Sequence, residues 1–306
     1  MTITESAPAK LNLALHIRAK RPDGYHDLET LFAFARDGDV VTIAPAAQDS
    51  FTITGPFART LALSSPIDAH AALPFPLAEG RGTPAQPAAR DEDKPGDNLV
   101  TRARDAYRAA FGCPPVAITL DKRLPVASGI GGGSADAAAT LRALATLNGM
   151  NPSAKPLFKI ATTLGADVPA CLLCRPALGT GKGDRLVALP LIGAHPVLLV
   201  NPRVALSTAE VFAAWDGSSS GSIRITGDLL DHAQHCRNDL TEAAISKAPV
   251  IADVLALLET APGAAFARMS GSGATCFALF KDTATRDAAA AQADRRGWWV
   301  LATTLT

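Results

Sequence analysis

Lys122-Arg123-Leu124-Pro125-Val126-Ala127-Ser128-Gly129-Ile130-Gly131-Gly132-Gly133-Ser134 runs from the end of one structural element into the start of another. Ahead of it, Val116, Ile118 and Leu120 alternate as a strand does. Behind it, an alanine-rich stretch from about Ala135 to Leu147 reads as a helix stopped by Asn148-Gly149. Glycines adopt positive φ angles and let the backbone approach a ligand closely. Several N–H groups can then face one anion at a helix N-terminus, where the macrodipole adds roughly half a positive charge. Taken alone, such a run is more often a flexible turn. Its position between strand and helix moves the reading toward a di- or triphosphate. A P-loop would need a lysine that Gly133-Ser134-Ala135 lacks. A dinucleotide fold would place an acid about 20 residues further on, where Asn148 and Gly149 stand.

Working outward, the first 65 residues read as mostly β. Leu11, Leu13, Leu15 and Ile17 alternate with Asn12, Ala14 and His16, the pattern of a half-buried strand, with Lys10 and Asn12 turned away from the leucines. Further strands are expected at Asp39–Ala44, Phe51–Thr54 and Thr60–Leu63. Residues 78–97 carry Pro, Gly and mixed charge without apolar periodicity and read as a mobile surface loop. Asp97 looks like the N-cap of a helix through Phe111, and Pro152-Ser153 opens another helix that Gly165 closes. In the second half, a strand at His195–Val200 leads to a helix at Ser207–Trp215. After a helix near Pro249–Thr260 come a strand, a Gly-rich turn and a strand over Ala265–Phe280, a helix at Thr283–Arg296 and a last strand at Trp298–Thr303. These mixed elements predict an α+β protein of two domains, residues 1–175 and 176–306.

The chain has 306 residues, enough for two domains with cores that need no staples. Its 29 Lys and Arg balance 29 Asp and Glu, which argues against nucleic acid or an anionic membrane as a partner held by bulk charge. Aromatics at 5% argue against a stacking platform for single strands. No apolar run approaches the roughly 20 residues of a membrane helix, and the N-terminus lacks the pattern of a secretory signal. Five scattered cysteines do not form a disulfide framework. A cytoplasmic protein is expected. Cys171-Leu172-Leu173-Cys174 has metal-ligand spacing, but apolar neighbours make it a core segment.

Three blocks, in order, resemble the GHMP small-molecule kinases: Pro8-Ala9-Lys10-Leu11-Asn12-Leu13, Leu124-Pro125 through Ala139, and Met269-Ser270-Gly271-Ser272-Gly273-Ala274. The likeness spans nearly the whole chain apart from residues 78–97. Arg21-Pro22-Asp23-Gly24-Tyr25-His26, Gly165-Ala166-Asp167-Val168-Pro169, Asn201-Pro202 with Ser207-Thr208, and Asn238-Asp239-Leu240 narrow it further. They are similar to the branch of the family that phosphorylates a cytidine-diphosphate-linked methylerythritol in isoprenoid synthesis. The resemblance implies an N-terminal ribosomal-protein-like domain, a C-terminal ferredoxin-like domain and an active site between them. It implies ATP and Mg²⁺ as cofactors and transfer to a C2 hydroxyl; no obligate protein partner is evident in the sequence. A relative acting on homoserine or mevalonate is the alternative, against which Asp23-Gly24-Tyr25-His26 argues. A non-catalytic nucleotide- or RNA-binding descendant is a third reading, disfavoured by the joint presence of Lys10 and Asp167.

The same resemblance gives residues their expected roles. Asp167 is the base for the hydroxyl proton, although its position before Val168-Pro169 also suits an N-cap. Lys10 pairs with it and offsets charge on the transferring group, although most lysines at strand edges are simply solvated. Residues Pro125, Val126, Ala127, Ser128, Gly129, Ile130, Gly131, Gly132, Gly133, Ser134 and Ala135 form the nucleotide loop, with Asn98, Leu99 and Lys122 near the adenine. Ser134 is the hydroxyl for Mg²⁺ or phosphate. Tyr25 and His26 clamp the cytidine, and Asn12, Thr208, Phe212, Ser270, Gly271, Ser272 and Gly273 contact substrate; Thr208 could equally cap its helix. Ala127, Ser128 and Ala135 depart from the usual loop residues, leaving a slightly stiffer loop.

Overall fold

The computed structural model describes residues 1–63 and 98–306. The expected loop at 78–97 lies outside them. Two long strands, β1 (Ile3–Lys20) and β2 (His26–Pro45), form an antiparallel hairpin whose register shifts between Pro8 and Lys10, Asn12 and Ala14, and Ile17 and Ala19. β4 (Val116–Asp121) pairs antiparallel with the far end of β2, and β3 (Ser50–Thr54) lies parallel to β4. A small hairpin, β5 (Ala177–Thr180) and β6 (Arg185–Ala188), joins β2 at Thr30–Phe32.

A second, all-antiparallel group comprises β7 (His195–Asn201), β8 (Ala264–Met269), β9 (Cys276–Phe280) and β10 (Trp299–Leu305), ordered β10-β7-β9-β8. It meets the first group where Leu305 of β10 faces Ala35 of β2. The fold is thus α+β, as expected.

Helices cover both groups. α1 (Ala58–Leu63) occupies the stretch that includes the strand expected at Thr60–Leu63; Leu61 packs on the first core from helical geometry. α2 (Leu99–Phe111) is capped by Asn98, whose side chain accepts from the Val100 N–H; Asp97, the expected cap, lies outside the described residues. α3 (Gly132–Leu147) begins three residues earlier than expected, so its first turn is part of the glycine loop. Ala135, Ala137, Ala138, Ala139, Ala143 and Ala145 are all buried, and their small side chains let α3 sink between neighbours on nearly every side. α4 (Lys155–Leu164) starts after Pro152-Ser153, and α5 (Val168–Leu173) places Cys171 in the core with Cys174 just beyond it. α6 (Thr208–Ala213), α7 (Leu229–His235), α8 (Thr241–Lys247), α9 (Val250–Glu259) and α10 (Thr283–Arg295) complete the chain. All five cysteines are free. Among the described residues, no helix is long and apolar enough to cross a membrane.

Three clusters make the core. One packs α2, α3 and α4 on β2 and β4, and a second packs α8, α9 and α10 on the C-terminal strands. The third joins them, with Leu11, Leu13 and Leu31 meeting Leu199, Phe277 and Leu279. Ile130 of the glycine loop is anchored in that third cluster. β1 is therefore buried on both faces rather than one: Lys10, Asn12 and His16 are as inaccessible as the leucines beside them. Buried polar groups must find partners, and here those partners build the site.

Candidate active site

Lys10 is 3% exposed, and its backbone N–H donates to Ile130 O at 2.9 Å. Its Nζ donates to Asn12 Oδ1 at 2.8 Å and lies 3.0 Å from Asp167 Oδ2. The Asn12 amide in turn donates to Thr30 Oγ1 at 2.8 Å, which fixes the face Asn12 shows to the lysine. Asp167 stands at the N-cap position of α5 but makes no side-chain cap bond. Its carboxylate, 34% exposed, opens to a cleft of about 760 Å³, a size typical of small-molecule sites.

The glycine loop forms one wall of that cleft. Gly131, at φ +64°, is the N-cap of α3, and as a glycine it leaves the first N–H groups of the helix to other acceptors. Pro125, Val126, Ala127, Ser128, Gly129, Gly131, Gly132, Gly133 and Ser134 all line the cleft. Ile130 and Ala135 do not; they are buried behind it. Ala127 holds φ +49°, a conformation glycine adopts more easily. The Ser128 hydroxyl closes the turn by donating to Pro125 O at 2.7 Å.

The second small loop braces the first. Ser270 and Gly273 lie behind the wall, while Gly271 and Ser272 reach the cleft. Ser270 Oγ accepts from the Asn12 N–H at 3.2 Å and donates to Gly129 O at 3.1 Å, tying the lysine's strand to the glycine loop. Asn238 holds this loop by donating to Met269 O and Gly271 O, both at 2.8 Å. Asn201 holds it through Thr275 Oγ1 at 2.9 Å.

Asn98 and Leu99 line the cleft beside α3, with Leu99 against Gly133. Lys122 is tied up differently from expectation. Its buried Nζ lies 2.5 Å from Asp39 Oδ2 and 2.8 Å from Asp136 Oδ2, below Gly132. Burial opposes its charge, but the two carboxylates outweigh burial and hold its pKa above the ordinary lysine value. Neither aspartate emerged from the sequence reading. The available signal was Asp136 itself, an acid inside the run Ala135–Ala139.

At the other end of the cleft, the Asp23-Gly24 turn delivers Tyr25 and His26. The His26 ring packs on Phe212 at 5.0 Å between centroids and edge-on against Trp215 at 5.6 Å. Thr208 does not cap α6; Ser207 does, and Thr208 Oγ1 bonds Ser272 Oγ at 2.9 Å. Trp215 and Lys182 were missed in the sequence. Lys182, in the turn between β5 and β6, holds its Nζ 4.6 Å above the Tyr25 ring.

The N-terminal domain pattern of the GHMP kinases matches residues 98–175, and the C-terminal pattern matches 218–297. A 4-diphosphocytidyl-2-C-methyl-D-erythritol kinase of Rhizorhabdus wittichii is 49% identical, over 99% of this chain and 94% of that protein. One of the same name from Sphingopyxis alaskensis is 43% identical, over 98% of each. A crystal structure of 4-(cytidine 5'-diphospho)-2C-methyl-D-erythritol kinase superposes with TM-score 0.72 at 30% identity, covering 99% of both chains. A homoserine kinase from Cytophaga hutchinsonii, at TM-score 0.65 and 18% identity, shares the fold over 100% of this chain and 94% of that one. The chain belongs to the GHMP kinase family, and it is a small-molecule kinase that uses ATP.

Proposed function

We propose that this kinase transfers the γ-phosphoryl group of ATP to the C2 hydroxyl of 4-diphosphocytidyl-2-C-methyl-D-erythritol, giving the 2-phosphate and ADP, in cytoplasmic non-mevalonate isoprenoid synthesis. The observation that carries the reading is the Lys10–Asp167 pair beside the N-terminus of α3, in a cleft that continues to His26 and Phe212. The shared name of relatives matched over nearly their whole length supports the choice of alcohol.

Phosphoryl transfer asks the protein for alignment and charge neutralisation more than for covalent chemistry. Holding the hydroxyl in line with the γ-phosphorus supplies about 7–11 kcal/mol of the barrier. In this reading the N–H groups of Gly131 to Ser134 receive the phosphates. Asp167 orients the C2 hydroxyl and accepts its proton as the new O–P bond forms and ADP departs with the old one. Lys10, held by Asn12 and Asp167, donates to the oxygens of the group in transit. Tyr25, His26 and Phe212 take the cytosine ring, and Thr208 with Ser272 faces the diphosphate or the alcohol.

The cleft wall suits Mg²⁺, which takes one or two protein oxygens and completes its shell with phosphate and water. The Ser134 hydroxyl in the first turn of α3 would hold it, and the ion would neutralise phosphate charge.

Incubation with MgATP and, separately, the cytidylated alcohol, homoserine and mevalonate tests the reading through ADP release. Turnover is expected with the first alone. Turnover with homoserine or mevalonate and none with the cytidylated alcohol would overturn the substrate assignment while leaving the kinase fold untouched.

A further inference from the structure

β1 carries one extra residue at Leu13: Asn12 pairs with Phe32 and Ala14 with Leu31, a bulge in the strand that bears the lysine. Past it, Leu15 pairs with Thr30. Paired residues point to the same side of a sheet. The extra residue therefore puts Leu15 and Thr30 on the side of Lys10, Asn12 and Phe32, and all five border the cleft.

A bulge takes main-chain groups off the ladder, and three of them here are met by side chains. The Asn12 N–H donates to Ser270 Oγ at 3.2 Å, the Leu13 carbonyl accepts from the Arg268 guanidinium, and the Ala14 carbonyl accepts from Thr30 Oγ1 at 2.6 Å. Arg268 is buried and also donates to Ala233 O at 2.7 Å and Cys236 O at 2.5 Å, which ties the bulge to the end of α7.

The Thr30 bond has a direction. A carbonyl can only accept, so Ala14 takes the one proton that the Thr30 hydroxyl owns. Oγ1 is then an acceptor toward Asn12, and the group 2.8 Å from it is the Asn12 amide nitrogen. That leaves Asn12 Oδ1 for Lys10 Nζ, also at 2.8 Å, and an ammonium has nothing but donors to offer it. Carbonyl, hydroxyl, amide and ammonium form one chain in which every proton points the same way, from Lys10 toward the bulge.

We propose that Thr30 is a positioning residue for phosphoryl transfer: its hydroxyl anchors the Asn12 amide, and Asn12 in turn holds the Lys10 ammonium at the reacting end of the cleft. The proposal rests on the role of Lys10 given above. Without the hydroxyl, the buried Asn12 amide has lost the acceptor that fixes it, and the lysine is held from one side only.

Steady-state kinetics with MgATP and the cytidylated alcohol test this in three variants. Thr30→Val keeps the branched shape and removes the hydroxyl; kcat is expected to fall about 10- to 30-fold, with KM for ATP within about twofold. Thr30→Ser restores the hydroxyl, and its kcat is expected within about threefold of wild type. In an Asn12→Ala background, adding Thr30→Val is expected to lower kcat by no more than about threefold, because no amide is left to anchor. Thr30→Ala serves the same comparisons should the valine variant not fold. A near-normal kcat in Thr30→Val, a serine variant no better than the valine one, or equal losses in both backgrounds overturns the proposal; equal losses would mean that Thr30 touches the substrate or merely supports the fold. A wild type that does not turn over the alcohol overturns the function proposed above instead. The Asn12–Thr30 bond is then read without substrate, as a nuclear Overhauser contact between the Asn12 amide protons and the Thr30 methyl group, and its absence overturns the present proposal by itself.

Discussion

Lys10 Nζ stands 3.0 Å from Asp167 Oδ2, with the ammonium buried and the carboxylate a third exposed. The lysine is held from behind by Asn12, and the carboxylate keeps an open edge toward the cleft. In Asp167→Asn the shape survives while the proton acceptor is lost. kcat is expected to fall at least about 100-fold, with nucleotide affinity changed less than about threefold. Pre-steady-state turnover alongside calorimetric binding measures both, and near-normal turnover would remove Asp167 from the mechanism.

Two glycines of one loop separate folding from catalysis. A β-carbon on Gly129, at φ +77°, would sit 2.5 Å from Ser270 O and 2.6 Å from Gly273 O, where two backbone loops interlock. Gly129→Ala is expected to cost roughly 3 kcal/mol or more of stability. On Gly131, at φ +64°, the new atom would meet Lys10 Cε at 3.0 Å and Lys10 Cβ at 3.2 Å. Gly131→Ala should cost about 1–2 kcal/mol and lower kcat more than it lowers stability, because it displaces Lys10. Thermal melts of the two variants beside their kcat values distinguish these outcomes; equal stability losses would contradict this account of the loop.

The glycine loop and the block around Lys10 were legible in the sequence because both are local patterns, although the helix behind the loop was expected from Ala135 and begins at Gly132. Glycines between a strand and an Ala-rich helix, and a short strand motif, carry their own meaning. The strand reading of Thr60–Leu63 failed because four residues alternate as well in one turn of helix as in a strand. The partners of Lys122 were not legible. Asp39 and Asp136 meet it only through the pairing of β2 with β4 and the descent of α3 onto both. Lys182 and Trp215 were missed for the same reason: Lys182 reaches the cleft through a hairpin turn, Trp215 backs the His26 ring from just beyond a helix end, and no motif marks either.

Phe212 packs on His26 at the end of the cleft distant from α3. Removing one face of a base-stacking site costs about 1–3 kcal/mol. Phe212→Ala is therefore expected to raise KM for the cytidylated alcohol by about 10- to 100-fold while leaving KM for ATP within about twofold. Steady-state kinetics with each substrate varied in turn provide the check. An effect on ATP alone would move the cytidine pocket elsewhere.

Asp49 ties the segment after β2 to α2 and β4: Arg108 donates to its two oxygens at 2.6 and 2.8 Å, and the Val116 N–H donates at 2.9 Å. Arg108 holds its carboxyl well below the usual aspartate range, against the opposing effect of burial and with help from Val116 and Arg104. Because the folded value is depressed, the stabilisation is complete above the unfolded value near 4 and is lost as pH falls below it. Asp49→Asn should cost about 1 kcal/mol at pH 7, a partly exposed pair being screened, and progressively less below pH 4. Urea unfolding of both proteins at pH 7 and pH 3 gives the comparison.

The central claim is that this chain moves a phosphoryl group from ATP onto the cytidylated alcohol rather than onto water. ³¹P NMR of a reaction containing protein, MgATP and 4-diphosphocytidyl-2-C-methyl-D-erythritol tests it most directly. The account predicts one new phosphomonoester resonance that grows in step with ADP, while the diphosphate of the substrate stays intact. Growth of inorganic phosphate alone, or ADP with no new monoester, would contradict it.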